Sequence, residues 1–538
     1  MKIAIAQINT IPFDIEGNLK KAKEYIKNAK DKKVDTIIFS GAFLCGGYYS
    51  DVLEKFPVIE ENIQKAMEHL ATFSKGIQIV MGTIMDDDIV VCIMRSGRIK
   101  KIVTSSDEIV EIAGLKTRFA FDIMDLEPIE EENLIIDFLP SISKANVEII
   151  KDASLVAIAN MNNAYVIHVN RVGANDEKSY DGGSRVYSPD GELLARAEFF
   201  KEDLLILDDF KGEIKSIPTG MDEEPPEEFS LDYEYDLERT YMSVCQATRD
   251  YFGKNGLEKA VIGLSGGLDS TVCAVILADV LGAENVLGVS MPSKITTDLS
   301  KQDAYQLAQN LGIEFKEIPI SPVVDALKQT FGDLQGSYTM DNFQARTRAT
   351  ILFGFSNEIP KCISIATSDK SETYMGYATI NGDMSGGFAP IADITKTKLF
   401  ALAAWLNKHR KQKNVIPQSV LEKRPGAELA INPKTGKPLM AEEALMPYEF
   451  LDEVIWRIEI LNQSKEKMMF HKFVYEKNNS VSKQQKEEWL DKFFCRMASA
   501  TCKSNLMPVF PLIDEKSINK KVYNAPVTAK INFERIKL

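Results

Sequence analysis

The seven residues SGGLDST, 265–271, constrain this chain more than any other stretch. They follow the apolar run AVIGL, which reads as a buried strand, and lead into a helix expected over 270–281. Two adjacent glycines, Gly266 and Gly267, let the backbone approach a phosphate with no Cβ in the way. Exposed N–H groups at the start of the following helix favour an anion of the pyrophosphate kind. Ser265, Ser270 and Thr271 add hydroxyl donors, and Asp269 could hold a magnesium ion against the phosphates. No lysine follows the glycines, so this is not the GxxxxGK[ST] loop of P-loop proteins. A plain glycine turn with a serine capping the next helix is the structural alternative.

Strands and helices alternate around this loop. Helix 237–254, strand KAVIGLS, helix 270–281, strand NVLGVSM, helix 298–311, a strand near 315–320, strand CISIAT and helix 393–410 follow in order. That rhythm predicts a doubly wound parallel sheet. Upstream, KIAIAQI, a helix over about 18–32, VDTIIFSG, a helix near 60–74 and IQIVMGTI predict a separate α/β layered domain. Its rhythm loosens after Gly97, and SPDG at 188–191 reads as a tight hairpin. The proline- and acid-rich stretch 216–236 is the expected linker, dividing residues 1–215 from 237–538. The lysine-rich stretch 464–490 is expected to be helical surface.

At 538 residues the chain exceeds a single typical core. A net charge of −14 argues against a nucleic-acid coat and leaves room only for a local phosphate site. No apolar run reaches the roughly 18–20 residues that span a bilayer. The start, MKIAIAQINT, has none of the features of a signal peptide. Seven cysteines without CxxC pairs, and only four histidines, make a disulfide framework or a zinc site improbable. The expectation is a cytoplasmic protein without a membrane partner.

The order strand–SGGLDS–helix resembles the ATP-pyrophosphatase group, the adenine nucleotide α-hydrolase fold. Members cleave ATP between the α and β phosphates, adenylate a substrate oxygen and let a nitrogen nucleophile displace AMP. MDNFQARTRATILF (340–353), the long block 366–407, VIPQSVLEKRPGAEL (415–429) and EEALMPYEFLDEVI (442–455) narrow the match. In this order they resemble the synthetase domain of NAD synthetases of the long, glutamine-dependent kind, over nearly all of residues 237–510. The resemblance implies ATP and Mg2+ as requirements and deamido-NAD as the acceptor. It implies catalytic roles for Asp269, Glu372 and Lys396, with Asp269 and Glu372 holding the metal. ATP would meet the 265–271 loop, Thr367 and Lys396, while Asn342, Arg346, Glu372, Asp383 and Lys503 would meet the acceptor.

From the residues alone, Asn342 and Arg346 lie four apart on one helix face, with Arg348 nearby. A solvated face is the alternative for them, a first-turn acid for Glu372 and a surface lysine for Lys396. The arginine that usually follows the family's late lysine is Ser504 here.

AIAQINT, DTIIF and the run HVNRVGANDEKSYDGGSRVYSPDGELLARAEFFKEDL resemble the nitrilase-like glutaminase domain that precedes such synthetases. That domain uses a cysteine nucleophile, a glutamate base and a lysine at the oxyanion. The matching positions hold Ala120, Gly41 and Ser105. The domain also looks short between positions 105 and 145, and Cys45 and Cys92 read as small buried hydrophobes. The implied protein is a working synthetase behind a degenerate glutaminase. It would draw on free ammonia or a separate ammonia donor and form a homo-oligomer. The same chemistry on another carboxylate, such as nicotinate mononucleotide, and a non-catalytic nucleotide-binding scaffold are the alternatives.

Overall fold

In the computed structural model the described residues are 1–47, 57–86, 88–123, 132–142, 147–215, 234–332, 337–423 and 440–513, with positions 126 and 426. The chain forms two compact units, Met1–Met221 and Asp222–Leu538. The linker expected over 216–236 lies outside the described residues up to position 233, and the next helix starts at Glu234.

The first unit opens with β1 (Lys2–Gln7), α1 (Ile15–Asp31), β2 (Thr36–Phe39), α2 (Pro57–Ala71), β3 (Gln78–Met85), β4 (Asp88–Arg95) and β5 (Arg98–Val103). Then follow β6 (Val110–Ile112), β7 (Leu115–Ala120), β8 (Leu134–Asp137), α3 (Val147–Asn162) and β9 (Tyr165–His168). It ends with β10 (Val172–Asn175), β11 (Lys178–Asp181), β12 (Arg185–Tyr187), β13 (Leu193–Arg196) and β14 (Asp203–Asp208). Two six-stranded sheets form, in the orders β14-β1-β2-β3-β4-β5 and β13-β12-β9-β8-β7-β6.

Alternation along β1 explains the layering. Ile3 and Ile5 enter a core shared with Phe119, Ile136 and Ile167 of the other sheet, while Ala4 and Ala6 face α1 and α2. On the far side, Leu155 and Ala159 of α3 cover Ile135 and Val166. The unit is therefore a helix–sheet–sheet–helix sandwich. The α1 helix starts at Ile15, earlier than expected, because the Asp14 carboxylate accepts from Gly17 N–H and caps it. The looser rhythm near Gly97 reflects antiparallel pairing of β3, β4 and β5, with Ser96 and Gly97 turning at φ 56° and 83°.

The second unit begins with α4 (Glu234–Lys254), β15 (Lys259–Gly263), α5 (Leu268–Leu281), β16 (Val286–Ser290), α6 (Asp298–Leu311) and β17 (Glu314–Glu317). It continues with α7 (Ser321–Phe331), α8 (Ser337–Glu358), β18 (Cys362–Ser364), α9 (Lys370–Met375) and α10 (Lys396–His409). Short helices α11 (Gln418–Glu422) and α12 (Ala441–Ala444) precede α13 (Tyr448–Glu459), α14 (Lys465–Phe470), α15 (Val474–Asn478) and α16 (Lys483–Ser504). The lysine-rich stretch 464–490 is thus three helical pieces, the first restarted by the Ser464 cap.

The sheet runs β17-β16-β15-β18, and every pairing in it is parallel. Strand order moves outward from β15 to β17 and then returns to place β18 on the other flank. The carboxyl ends of β15 and β18 therefore form a topological switch point, where open α/β sheets bind ligands. Farther along, Phe388 bridges Ile365 and Val509, and Ile513 N–H donates to Asp393 at 2.7 Å.

Candidate active site

The loop after β15 has the shape its glycines predict. Gly266 sits at φ 75°, and a Cβ there would come within 2.1 Å of the Ser300 carbonyl oxygen. Glycine is demanded on both counts. Gly267 occupies the N-cap of α5 with no side chain over the helix end, so the first-turn N–H groups stay bare. Ser265 accepts from Gly267 N–H at 3.2 Å. Ser270 and Thr271 are nearly buried and both hydroxyls donate to the Gly267 carbonyl, at 3.3 and 2.7 Å. They brace the loop from beneath, whereas Ser265, Gly267 and Asp269 line the cavity above it.

Across the switch point, Thr367 lines the same cavity three residues past β18. Next, Asp369 caps α9, accepting from Glu372 N–H at 2.8 Å. Lys396 opens α10, and its Nζ lies 2.6 Å from Asp269 Oδ1, 2.7 Å from Asp369 Oδ2 and 3.1 Å from Glu372 Oε1. Carboxylate oxygens of these three acids lie within 4.8 Å of one another. Such a set of hard oxygen donors suits Mg2+. Burial pushes Asp369 above, and Glu372 well above, the usual carboxylate range, with Lys396 pulling each back. Burial is also the largest influence on Lys396 and opposes its charge. Asp269, Asp369 and Glu372 outweigh it and hold the ammonium well above its usual range.

Two buried devices fix these elements. Asp452 of α13 accepts from Ser371 Oγ at 2.5 Å and twice from Thr397, while Lys396 N–H donates to Ser371 Oγ at 2.9 Å. Lys370, with no exposure, pairs with Glu459 at 2.6 Å and Asp393 at 3.3 Å, pinning α9.

The acceptor residues expected from sequence divide. Asp383 lines the cavity and accepts from Thr379 N–H at 2.6 Å. Asn342 and Arg346 do share a face of α8, yet both serve the 379–382 turn. Asn342 accepts from the Thr379 hydroxyl at 2.9 Å, and Arg346 Nε donates to Ile380 O at 3.1 Å. Arg348 is the arginine that lines the cavity, anchored by Nε to Met291 O at 3.1 Å. Lys503 donates to the carbonyls of Gly376 and Ala378, at 2.8 and 2.6 Å, and so is engaged with backbone.

Sequence reasoning overlooked Asp369, which reads as an ordinary helix cap. It also overlooked Thr296, Ser300 and Lys301 on the cavity wall. The last group had a signal: SKITTDLSK opens α6 directly past β16, at the ligand-facing edge of a parallel sheet.

In the first unit, Gly41 and Ala120 both neighbour Phe138, while Ser105 lies on the loop after β5. Gly41 N–H donates to Phe138 O at 2.7 Å, and a Cβ on Gly41 would touch Phe138 and Leu139 at 3.2–3.3 Å. Ala120 ends β7 paired with Asp137, next to Phe138. Phe121 N–H donates to Ser106 Oγ, beside Ser105, and its ring lies 5.1 Å from that of Phe138. Ser105 itself bonds locally to Asp107. Asp137, the partner of Ala120, is buried with Lys151 Nζ at 2.6 Å and His168 Nδ1 at 2.8 Å, and Arg171 donates to the Gly41 carbonyl at 2.7 Å. Burial pushes Cys45 up to about 11 and Cys92 up to about 12.

Residues 240–489 match the NAD synthase family, and residues 2–93 and 143–215 match the carbon-nitrogen hydrolase family. A nitrilase-type sandwich joined to a parallel sheet with this charged switch point is a two-domain ligase that forms carbon–nitrogen bonds. The chain is 32% identical over 517 residues to a glutamine-dependent NAD(+) synthetase of Thermotoga maritima, covering 85% of this chain and 88% of that one. The solved glutamine-dependent NAD+ synthetase of Acinetobacter baumannii, in complex with ADP, superposes with a TM-score of 0.70 at 25% identity over 97% of each chain. A glutamine-dependent NAD(+) synthetase from Cytophaga hutchinsonii shares the fold, with a TM-score of 0.80 over 98% of each chain at 17% identity. This chain belongs to the glutamine-dependent NAD(+) synthetase family, and it is an NAD(+) synthetase.

Proposed function

We propose that the second unit adenylates the nicotinate carboxylate of deamido-NAD with ATP and that ammonia, rather than glutamine, supplies the nitrogen. The observation that carries the activation step is the approach of Lys396 to both Asp269 and Glu372 at the mouth of the glycine loop. A carboxylate oxygen of the acceptor attacks the α phosphorus and pyrophosphate leaves. Ammonia then adds at the acyl carbon, AMP departs, and a proton is lost to solvent as the carboxamide forms. The bare N–H groups at the start of α5 hold the leaving phosphates, with Lys396 neutralising them. Asp269 and Glu372 would hold Mg2+, which would supply charge neutralisation at the phosphates. No side chain acts as a nucleophile, so rate comes from positioning and preorganised charge.

Relatives of this chain are named for glutamine, but Gly41, Ser105 and Ala120 carry no carboxylate, ammonium or thiol. The absence of those three groups, with Cys45 and Cys92 buried and held far from ionisation, favours a first unit without glutaminase chemistry. Assay of AMP and NAD from deamido-NAD and ATP tests both claims. Ammonium should support turnover and glutamine should not; equal rates with the two donors refute the ammonia reading. Because Lys503 is engaged with backbone carbonyls, nicotinate mononucleotide is assayed in parallel as acceptor. We also propose a homo-oligomer, consistent with the exposure of Phe331, Tyr338 and Phe353 on α7 and α8. A monomeric mass by light scattering refutes it.

A further inference from the structure

Three acids arranged as a cation site already hold a cation, and it is a side chain. The Lys396 ammonium lies between Asp269, Asp369 and Glu372 at 2.6–3.1 Å, and only 1% of its side chain is exposed. A divalent ion using the same oxygens would lie at contact distance from this ammonium. The repulsion there is large in a partly buried site. Ammonium and metal therefore cannot occupy the cluster as it stands.

Lysine is suited to yield, because its charge rides on a flexible four-carbon stem. The three acids are not equivalent anchors. Asp369 has no exposure, whereas the side chains of Asp269 and Glu372 are 24% and 17% exposed and line the cavity. Phosphates arriving over the glycine loop would compete for the ammonium from the cavity side.

We propose that Lys396 is the resident counter-ion of this cluster. Nucleotide phosphates draw it off Asp269 and Glu372 while Asp369 retains it, and only then is the cluster open to the divalent metal. The inference rests on reading the cavity as the nucleotide site. It does not depend on which acceptor or nitrogen source is used. Its consequence is a reciprocal coupling between metal and nucleotide, set by one lysine.

Mn2+ binding to the full-length protein tests it without turnover, read by water-proton relaxation, which responds to protein-bound ion. Without nucleotide, the wild-type protein and Lys396→Arg should bind Mn2+ weakly. Lys396→Met should bind one ion at least about tenfold more tightly. Equal affinity of wild type and Lys396→Met overturns the proposal.

Removing the ammonium leaves three acids without a counter-ion and can unfold the protein, so the wild type supplies a second measurement. A tight Mn2+ site should appear only when α,β-methylene ATP is bound. A tight site without nucleotide overturns the proposal, as does no site when calorimetry shows the analogue bound. Failure of the analogue to bind refutes the nucleotide reading instead, and the Lys396→Met comparison still decides the counter-ion claim.

Discussion

Asp452 and Thr397 are joined twice, through the Thr397 N–H at 2.8 Å and its hydroxyl at 2.6 Å. Because Thr397 follows Lys396, this buried pair sets the start of α10 and the origin of the lysine stem. Asp452→Ala leaves three donors without an acceptor. It should cost about 3 kcal/mol in urea denaturation and slow pyrophosphate release at least about tenfold. Asp452→Asn keeps an acceptor and should recover most of the stability.

The same carboxyl makes stability depend on pH. Burial pushes Asp452 up to about 7, from an ordinary value near 4. The folded protein holds a proton there that the unfolded chain releases. Its contribution is complete below about pH 4 and is lost as pH rises toward about 7. Relative to Asp452→Asn, the wild type should lose roughly 1.4 kcal/mol per pH unit across that window. Denaturation midpoints of the two proteins at several pH values check this; a constant difference contradicts it.

Gly266→Ala places a methyl group against the Ser300 carbonyl in a left-handed backbone conformation. Loss of measurable α,β-methylene ATP binding by calorimetry is expected, with a fall in stability of about 2 kcal/mol.

Thiol alkylation should leave ammonium-driven synthesis intact. Cys45 and Cys92 are buried, and their thiols are held far from ionisation. Under native conditions iodoacetamide should label the exposed Cys495 and spare these two, read by peptide mass spectrometry. Glutamine-driven turnover that is lost on labelling of Cys45 would instead point to a working thiol in the first unit.

The shape of the glycine loop was legible because glycine spacing at a strand–helix junction encodes backbone geometry directly. The alternation in KIAIAQ likewise revealed a buried strand. What it could not reveal was that its two faces serve different layers, since Ile and Ala are both apolar and both buried there. Helical spacing correctly put Asn342 and Arg346 on one face, but not what that face meets, which is the backbone turn at 379–382. Asp369 escaped notice because a single carboxyl both caps α9 and touches Lys396, and only the first role is visible in sequence.

The bridge from Phe388 to Val509, and the bond from Ile513 to Asp393, have a bearing on biosynthesis. Val509 and Ile513 complete a layer whose other members leave the ribosome more than a hundred positions earlier. The second unit therefore cannot complete that layer until residues 509–513 have been made. Its unfinished sheet edge must wait, exposed, for that segment to emerge.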